Sequence, residues 1–229
     1  MKKLIILTAV LIFAVSCKKE IIETRQDRLN GVSDMEDMVG INAFQGVQIG
    51  TQIWMKKNLN VRLYRNGEEI PLVYNSTKWC NKKLGAMCYY DNNYNNTGTY
   101  GKLYNWYAVN DPRGLAPKGW HIPSVDEWKT LIDFLGGSDF AGGYLKDTII
   151  WADPNSGATN SVSFAALPGG KRVFPNGRFD QNNFKGYWWT STGDAFGDAA
   201  LVRMEFDSKD ADIINLNKLS GLSVRCIKD

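Results

Sequence analysis

One strongly marked helix lies in the middle of the chain and constrains the fold more than any other segment. The stretch "PSVDEWKTLIDFLGG" covers residues 123–137. Ser124 is a favourable N-cap, and Glu127, three positions later, completes a capping-box pattern. The pattern predicts a helix that ends at Gly136 and Gly137 and buries one apolar face. That face consists of Trp128, Leu131, Ile132 and Leu135.

The rest of the domain has the pattern of short strands. Residues 47–64 alternate apolar and polar side chains in two runs, and Asn66-Gly67 is a turn signal. The aromatic segment 100–111 fits a short helix by its spacing, although a strand is also compatible. After residue 137 no further helix is predicted, because short apolar runs alternate with Gly, Asn, Asp and Pro. The fold class is therefore α+β, with about two helices packed on an irregular antiparallel sheet.

The beginning of the chain has the pattern of an export signal followed by a tether. Two lysines precede an apolar run over residues 4–15, shorter than the roughly 20 apolar residues that span a bilayer. This pattern predicts a signal peptide over residues 1–16 with cleavage after Ser16. Residues 17–40 are charged and lack apolar periodicity, which indicates a flexible tether. The folded domain is predicted to occupy residues 41–229.

The stretch "AVSC" at residues 14–17 resembles the lipobox of bacterial lipoproteins. The resemblance implies that Cys17 is acylated and holds the protein on membrane lipid, since two or more acyl chains anchor stably. The alternative is an ordinary secretory signal with an incidental cysteine. Positions 18 and 19 are lysines, whereas an aspartate directly after the cysteine commonly retains lipoproteins at an inner membrane. We therefore expect the protein to be anchored in the outer membrane. The stretch "KKEIIE", residues 18–23, partly resembles a signal for export to the cell surface, which slightly favours surface display over a periplasmic orientation without deciding between them.

The charge balance argues against a nucleic-acid partner. Without Lys2 and Lys3 the 27 basic residues fall to 25, against 24 acidic ones, and no basic patch stands out. A zinc site is not expected either, because the chain has one histidine and no CxxC pair.

Three cysteines remain once Cys17 is lipidated. Outside the cytoplasm thiols tend to pair, so Cys80 with Cys88 and Cys88 with Cys226 are both disulfide candidates. The residues do not decide between these pairings, and one thiol is left over in either case.

Six motifs follow one another along the chain: "YGKLYNWYAV", "GLAPKGWHIPSVDEWKTLIDFLGG", "FAALPGGKR", "GRF", "GYWWTST" and "GLSVRCIKD". As a set they resemble the Fibrobacter succinogenes major paralogous domain family, from about Gln52 to the last residue. The resemblance implies a C-type-lectin-like α+β fold and a secreted protein or lipoprotein of Bacteroidetes-type bacteria. It implies no defined biochemical activity. Members often have a cysteine where this chain has Ala116, so Cys226 is implied to have another partner or none.

His121 is the one histidine and the obvious candidate for a general base. Its neighbours are apolar, and no second histidine or reactive cysteine lies near it in sequence, so a hydrogen-bonded structural role is favoured. "HIPSVDEW" is also similar to a stretch of formylglycine-generating enzymes, but no matching pair of redox-active cysteines is visible. We therefore expect no enzymatic activity and no cofactor.

The stretch "YDNNYNNTG", residues 90–98, is rich in side-chain oxygen atoms. Asp91, Asn93 and Asn95 alternate and are weak candidates for calcium ligands. With one carboxylate and no EF-hand spacing, an asparagine-rich surface turn is the favoured interpretation.

The stretch "GYWW" offers aromatic rings that could face a ligand, namely those of Tyr187, Trp188 and Trp189. Neighbouring side chains on a strand point to opposite sides, so at most one tryptophan shares a face with Tyr187. A place in the core is the favoured interpretation. "LPGGKR", residues 167–172, is predicted to be a turn.

These observations predict a non-catalytic binding or adhesion module at the cell envelope, with a glycan or a protein as its ligand. One alternative is a structural component of an outer-membrane surface assembly. A second is an enzyme related to formylglycine-generating oxidases.

Overall fold

The computed structural model describes residues 45–229 of the chain. The predicted cleavage after Ser16, the lipidation of Cys17 and the tether lie outside the described residues. Within the described part, no helix is long and apolar enough to span a bilayer.

The described residues alternate short strands with short helices. The strands are β1 (Gly46–Ile49), β2 (Gln52–Met55), β3 (Met87–Cys88), β4 (Leu103–Tyr104), β5 (Trp120–His121), β6 (Gly169–Arg172), β7 (Phe179–Asn182), β8 (Lys185–Gly193), β9 (Asp198–Glu205), β10 (Asp212–Asn217) and β11 (Ile227–Lys228). The helices are α1 (Ser76–Cys80), α2 (Thr97–Tyr100), α3 (Trp106–Val109), α4 (Val125–Phe134) and α5 (Ser138–Leu145). Two 3₁₀ helices, Tyr90–Asn92 and Tyr94–Asn96, precede α2.

The strands form several small antiparallel sheets. One has four strands in the order β1-β2-β11-β5, and a second has three in the order β10-β9-β8. The pairs β3–β4 and β6–β7 stand apart from these. This arrangement confirms the α+β fold class, whereas the finer likeness to C-type lectins stays a prediction.

Helix α4 forms as its sequence predicts. The Ser124 hydroxyl accepts a hydrogen bond from the Glu127 amide at 3.3 Å, and the Glu127 carboxylate accepts one from the Ser124 amide at 2.7 Å. All four residues of the predicted apolar face are buried. Gly136 and Gly137 end the helix with positive φ angles of 92° and 99°, which glycine adopts at little cost.

The prediction that no helix follows residue 137 is wrong, because α5 begins directly after the two glycines. Gly142 and Gly143 lower its intrinsic helix propensity and hide it from a sequence pattern. Both are needed for close packing. A Cβ atom at Gly142 would lie 2.1 Å from the carbonyl oxygen of Asp210, and one at Gly143 would lie 2.7 Å from that of Gly157.

Residues 100–111 contain both of the elements that the sequence left open. Strand β4 comes first and is paired with β3. The single turn α3 follows, and the Asn105 side chain caps it by accepting from the amide of Ala108 at 3.0 Å.

The main core lies between helices α4 and α5 and the two larger sheets. Its centre is a cluster of three aromatic rings. The ring centroids of Trp54 and Trp128 are 4.6 Å apart, and the centroid of Phe164 lies within 5.8 Å of each. The buried members of this core are Ile49, Trp54, Trp128, Leu131, Ile132, Leu135, Ala141, Leu145, Trp151, Phe164, Ala166, Trp188, Val202, Met204, Ala211 and Ile227. A smaller cluster contains Trp79, Cys80, Ala86, Cys88 and Leu103.

Three cationic side chains are fully buried: Lys146, Arg172 and Arg225. Within residues 45–229 no carboxylate forms an ion pair with any of them. They donate instead mainly to backbone carbonyl oxygens. Burying a charge without hydrogen-bond partners costs much free energy. These hydrogen bonds therefore make it possible for the three cations to lie in the interior. We call the three residues the buried cations.

Arg225 shows this arrangement most fully. Its guanidinium donates to the carbonyl oxygens of Met55 at 3.0 Å and Phe164 at 2.6 Å, and to the side-chain oxygen of Asn58 at 2.8 Å. The Lys146 ammonium donates to the carbonyls of Glu205 at 3.0 Å and Ser208 at 2.7 Å. Burial lowers the pKa of Arg225 to about 9 and that of Lys146 to about 8.

The prediction that residues 167–172 form a turn is wrong for the last four of them. Gly169–Arg172 is strand β6, and its last side chain lies between the rings of Trp79 and Phe179, at 4.6 and 4.9 Å from their centroids. Its guanidinium donates to the carbonyls of Val73 at 2.6 Å and Tyr74 at 2.7 Å.

Candidate ligand-binding surface

The aromatic residues of "GYWW" do not face a ligand. Tyr187, Trp188 and Trp189 lie on β8 and are buried, with exposed fractions of 3%, 0% and 0%. The Trp188 indole donates to the Asn58 side chain, and the Trp189 indole donates to the carbonyl of Tyr104, each at 2.9 Å. They belong to the core, as the favoured interpretation of the sequence has it, and the alternative that they face a ligand is wrong.

His121 lies on β5 between two carboxylates. Its Nε2 atom is 2.7 Å from Glu127 and its Nδ1 atom is 2.8 Å from Asp229. Burial by itself lowers the pKa of His121. The hydrogen bonds to both carboxylates raise this pKa by more than burial lowers it, so the net pKa lies above its usual value. This geometry confirms a hydrogen-bonded histidine and leaves neither ring nitrogen unoccupied to take a proton from a substrate.

The disulfide candidates do not form a bond in the structure. Cys80, Cys88 and Cys226 are buried free thiols. Burial raises the pKa of both Cys88 and Cys226 to about 12, which keeps these thiols protonated and unreactive.

The calcium candidates form tight turns. Asp91 has a left-handed φ of 55°, and the Asn93 side-chain oxygen caps the second 3₁₀ helix by accepting from the Asn95 amide at 3.1 Å. In the described residues, no three His, Cys, Asp or Glu side chains are grouped as a metal site would require. The favoured interpretation, an asparagine-rich surface turn, agrees with these contacts.

The same turn presents a group of aromatic and amide side chains to solvent. Tyr94 and Tyr74 are 66% and 49% exposed, while Tyr89 between them is 9% exposed. The Tyr89 ring centroid lies 5.5 Å from that of Tyr94, almost perpendicular to it, and 6.1 Å from that of Tyr74. Together with the exposed Asn92 and Asn95, these residues form what we call the tyrosine–asparagine surface.

Hydrogen bonds from side chains to backbone carbonyl oxygens fix this surface to the domain. The carbonyl oxygen of Tyr74 accepts from the guanidinium of the buried Arg172 at 2.7 Å and from the side-chain amide of Asn92 at 3.2 Å. The Thr97 hydroxyl donates to the carbonyl oxygen of Tyr94 at 2.8 Å. The backbone that carries Tyr74 and Tyr94 is therefore held in place before any ligand arrives, which lowers the entropic cost of binding.

The five residues that form this surface are tyrosines and asparagines, and none is a cation or a carboxylate. Burial raises the pKa of Tyr89, and the neighbouring phenols of Tyr74 and Tyr94 raise it further, so the Tyr89 phenol is uncharged near neutral pH. Asp91 and Arg62, both exposed, contribute one charge of each sign.

A concave surface lies beside α3. Leu84, Trp106, Tyr107 and Pro112 contribute apolar atoms to a cavity of about 140 Å³. Ligand pockets for small molecules usually enclose roughly 300–1,000 Å³, so this cavity is small for such a role. The Trp106 indole also donates to the carbonyl of Thr190 at 3.0 Å, which leaves its polar edge without capacity for a ligand.

Sequence reasoning located the segment of the tyrosine–asparagine surface and favoured an asparagine-rich turn there, with calcium binding as the weaker alternative, but it overlooked the tyrosines. The available indication was the interleaving of tyrosines and asparagines in "YDNNYNN". Tyr74 lies twenty positions before Tyr94, and only the fold brings these two residues to one surface.

The described residues thus define an α+β domain whose candidate site is a preformed aromatic and amide surface. The family model for the Fibrobacter succinogenes major domain matches residues 47–228. The chain belongs to this family. Searches of curated proteins and of solved structures gave no match.

Proposed function

We propose that this chain is a non-catalytic binding module held at the outer membrane by an acylated Cys17. The observation that carries the proposal is the tyrosine–asparagine surface. Rigid tyrosines provide large contact area at low conformational cost, and asparagines add adaptable hydrogen bonds, the combination that recognition surfaces favour. Tyr94 and Tyr74 present two such rings, 66% and 49% exposed, on a backbone that hydrogen bonds hold to the domain.

The environment of His121 supports a non-catalytic role. A general base needs an unoccupied nitrogen within reach of the proton that it removes. Both nitrogens of His121 instead contact Glu127 and Asp229. The nearby Ser124 is not an activated nucleophile, because its hydroxyl donates to Glu127 and caps helix α4.

A role in a surface assembly is the second candidate, and Phe196 favours it. This residue is 97% exposed at the tip of the β8–β9 hairpin. The Asp194 carboxylate accepts hydrogen bonds from the amides of Phe196, Gly197 and Asp198 at 2.9–3.0 Å and holds the tip in place. A large apolar side chain presented in this way suits a protein partner.

The test is an array of glycans and proteins probed with the whole chain, beside its Tyr94→Ala and Phe196→Ala variants. Binding that Tyr94→Ala abolishes and Phe196→Ala spares supports the binding module. Loss with Phe196→Ala alone favours the assembly role. Silence towards all probes contradicts the binding module.

The envelope location needs its own experiment. Cys17→Ser should abolish incorporation of labelled lipid and release the protein from the membrane fraction. Protease treatment of intact cells then separates surface display, in which the domain is cleaved, from a periplasmic orientation, in which it is protected.

A further inference from the structure

We infer that the tyrosine–asparagine surface binds an uncharged oligosaccharide, by stacking of sugar rings on Tyr94 and Tyr74 and hydrogen bonds to asparagine amides. This inference rests on the proposed binding function and specifies the ligand class of that surface. It is independent of calcium.

The first step in the argument is the availability of the rings. Tyr94 meets Tyr89 almost perpendicularly, at 86°, so this contact supports the ring without stacking over it. The 66% exposure of Tyr94 shows that most of its surface remains open. An exposed, rigid ring suits the flat C–H face of a pyranose, which offers apolar contact without charge.

The second step is the hydrogen-bonding capacity beside the rings. Each asparagine amide contains both an acceptor oxygen and an NH₂ donor. In the described part of the structure, no hydrogen bond occupies the Asn95 side chain, and the Asn92 side chain uses only its NH₂ group. Sugar hydroxyls are also donors and acceptors at once, so they match amides in either orientation.

The third step is the exclusion of other ligand classes. An anionic polymer is bound by clustered Lys and Arg, whereas the residues that form this surface are tyrosines and asparagines, with Asp91 next to them in sequence and Arg62 near Tyr89. A helical peptide is bound by an apolar groove. Here the turn between Tyr90 and Thr97 consists of exposed Asp and Asn residues around Tyr94. Polar amides around exposed rings fit a neutral polyhydroxylated chain better than either.

The experiment measures binding of the whole chain to soluble neutral glucans, mannans, galactans and N-acetylglucosamine oligomers. Polyuronate, sulfated glycan and unfolded protein serve as the comparison arms. We expect saturable binding to at least one neutral glycan, unchanged between low and high salt because no ion pairs are involved. Chelation of calcium should leave it unchanged as well.

Three variants make the result specific. Tyr94→Ala should weaken binding by about tenfold or more, as expected for an aromatic anchor. Tyr94→Phe should change it by less than about threefold, because the stacking face is kept. Phe134→Ala is the matched control, since it removes another aromatic side chain, 61% exposed, from a distant helix. It should have no effect.

The outcomes separate the two proposals. Salt-sensitive binding to anionic glycans alone, or equal losses from Tyr94→Ala and Phe134→Ala, would overturn the neutral-glycan inference. Binding to protein that depends on Tyr94 would also overturn it, while the binding module would stand. No binding in any arm would contradict both.

Discussion

The buried cations and the tyrosine–asparagine surface use hydrogen bonds in opposite ways. In the interior, Arg225 and Arg172 each reach several carbonyl oxygens, and water has no access to either guanidinium. At the surface, Asn92 and Asn95 retain donors and acceptors that face solvent. The first arrangement defines one structure, and the second leaves capacity for a ligand.

The family motifs divide in the same way. "FAALPGGKR" contains Arg172 and "GLSVRCIKD" contains Arg225, whereas none of the six motifs includes Tyr94. The motifs therefore describe the scaffold, and the candidate site lies on a turn that precedes the first of them. Arg172 joins the two regions, because it donates to the carbonyl of Tyr74 at the edge of the surface.

The largest effect should come from removing a buried cation. Arg225→Met removes the guanidinium that donates to the carbonyls of Met55 and Phe164, while the side-chain oxygen of Asn58 keeps the Trp188 indole as a donor. Because each buried group left without a partner costs about 1–3 kcal/mol, we expect a total loss of about 3 kcal/mol or more. Urea denaturation measures it. Arg178→Met, at an exposed site, is the control and should stay within about 0.5 kcal/mol. Equal losses at both positions would refute the account of the interior.

Arg172→Lys tests the link between the two regions. Lysine keeps the charge but not the planar fork that reaches both Val73 and Tyr74. We expect a loss of roughly 2 kcal/mol of stability, in the range for one broken buried contact. Ligand affinity should also fall at temperatures where the variant is fully folded. Unchanged affinity in the folded variant would show that Arg172 does not position the surface.

Ser124→Ala should have a smaller effect, because it removes the cap of α4 but no core contact. The expected loss of stability is about 1 kcal/mol. Thermal or urea unfolding measures it, with Thr130→Ala on the exposed side of the same helix as the control. A loss as large as that of Arg225→Met would mean that Ser124 has a role beyond capping.

The pH dependence of stability tests His121. Its pKa is raised in the folded protein, so the folded state binds more protons and its contribution is fully present below about pH 6.5. That contribution is lost as the pH rises through the folded pKa. The side chain is 39% exposed, so solvent screening keeps the contribution under about 1 kcal/mol. Between pH 5.5 and 8.5 the native protein should lose more stability than His121→Gln. Parallel pH profiles would contradict this assignment.

The sequence predicted those parts of the molecule whose causes are local. Helix α4 was recognisable because its cap and its apolar face lie within a few residues of one another. Helix α5 was not, because Gly142 and Gly143 are explained only by distant backbone at Asp210 and Gly157. A sequence pattern treats the glycines as breaks.

Burial of charge and assembly of the site were beyond local reasoning. Arg225 is satisfied by Asn58, 167 positions earlier, and no spacing rule predicts such a partner. The same holds for Tyr74, Tyr89 and Tyr94, which form one surface only through tertiary structure. The tandem tryptophans of "GYWW" were compatible with both a ligand-facing and a core position, and their burial agrees with the favoured core interpretation.

The most direct test of the central claim compares binding and stability in one variant, Tyr94→Ala. Because the side chain is mostly exposed, its removal should change the free energy of unfolding by no more than about 0.5 kcal/mol. Affinity for the neutral glycan identified with the native protein should fall by about tenfold or more. Full affinity with unchanged stability would contradict the account, because the glycan would then bind without the ring that defines the tyrosine–asparagine surface.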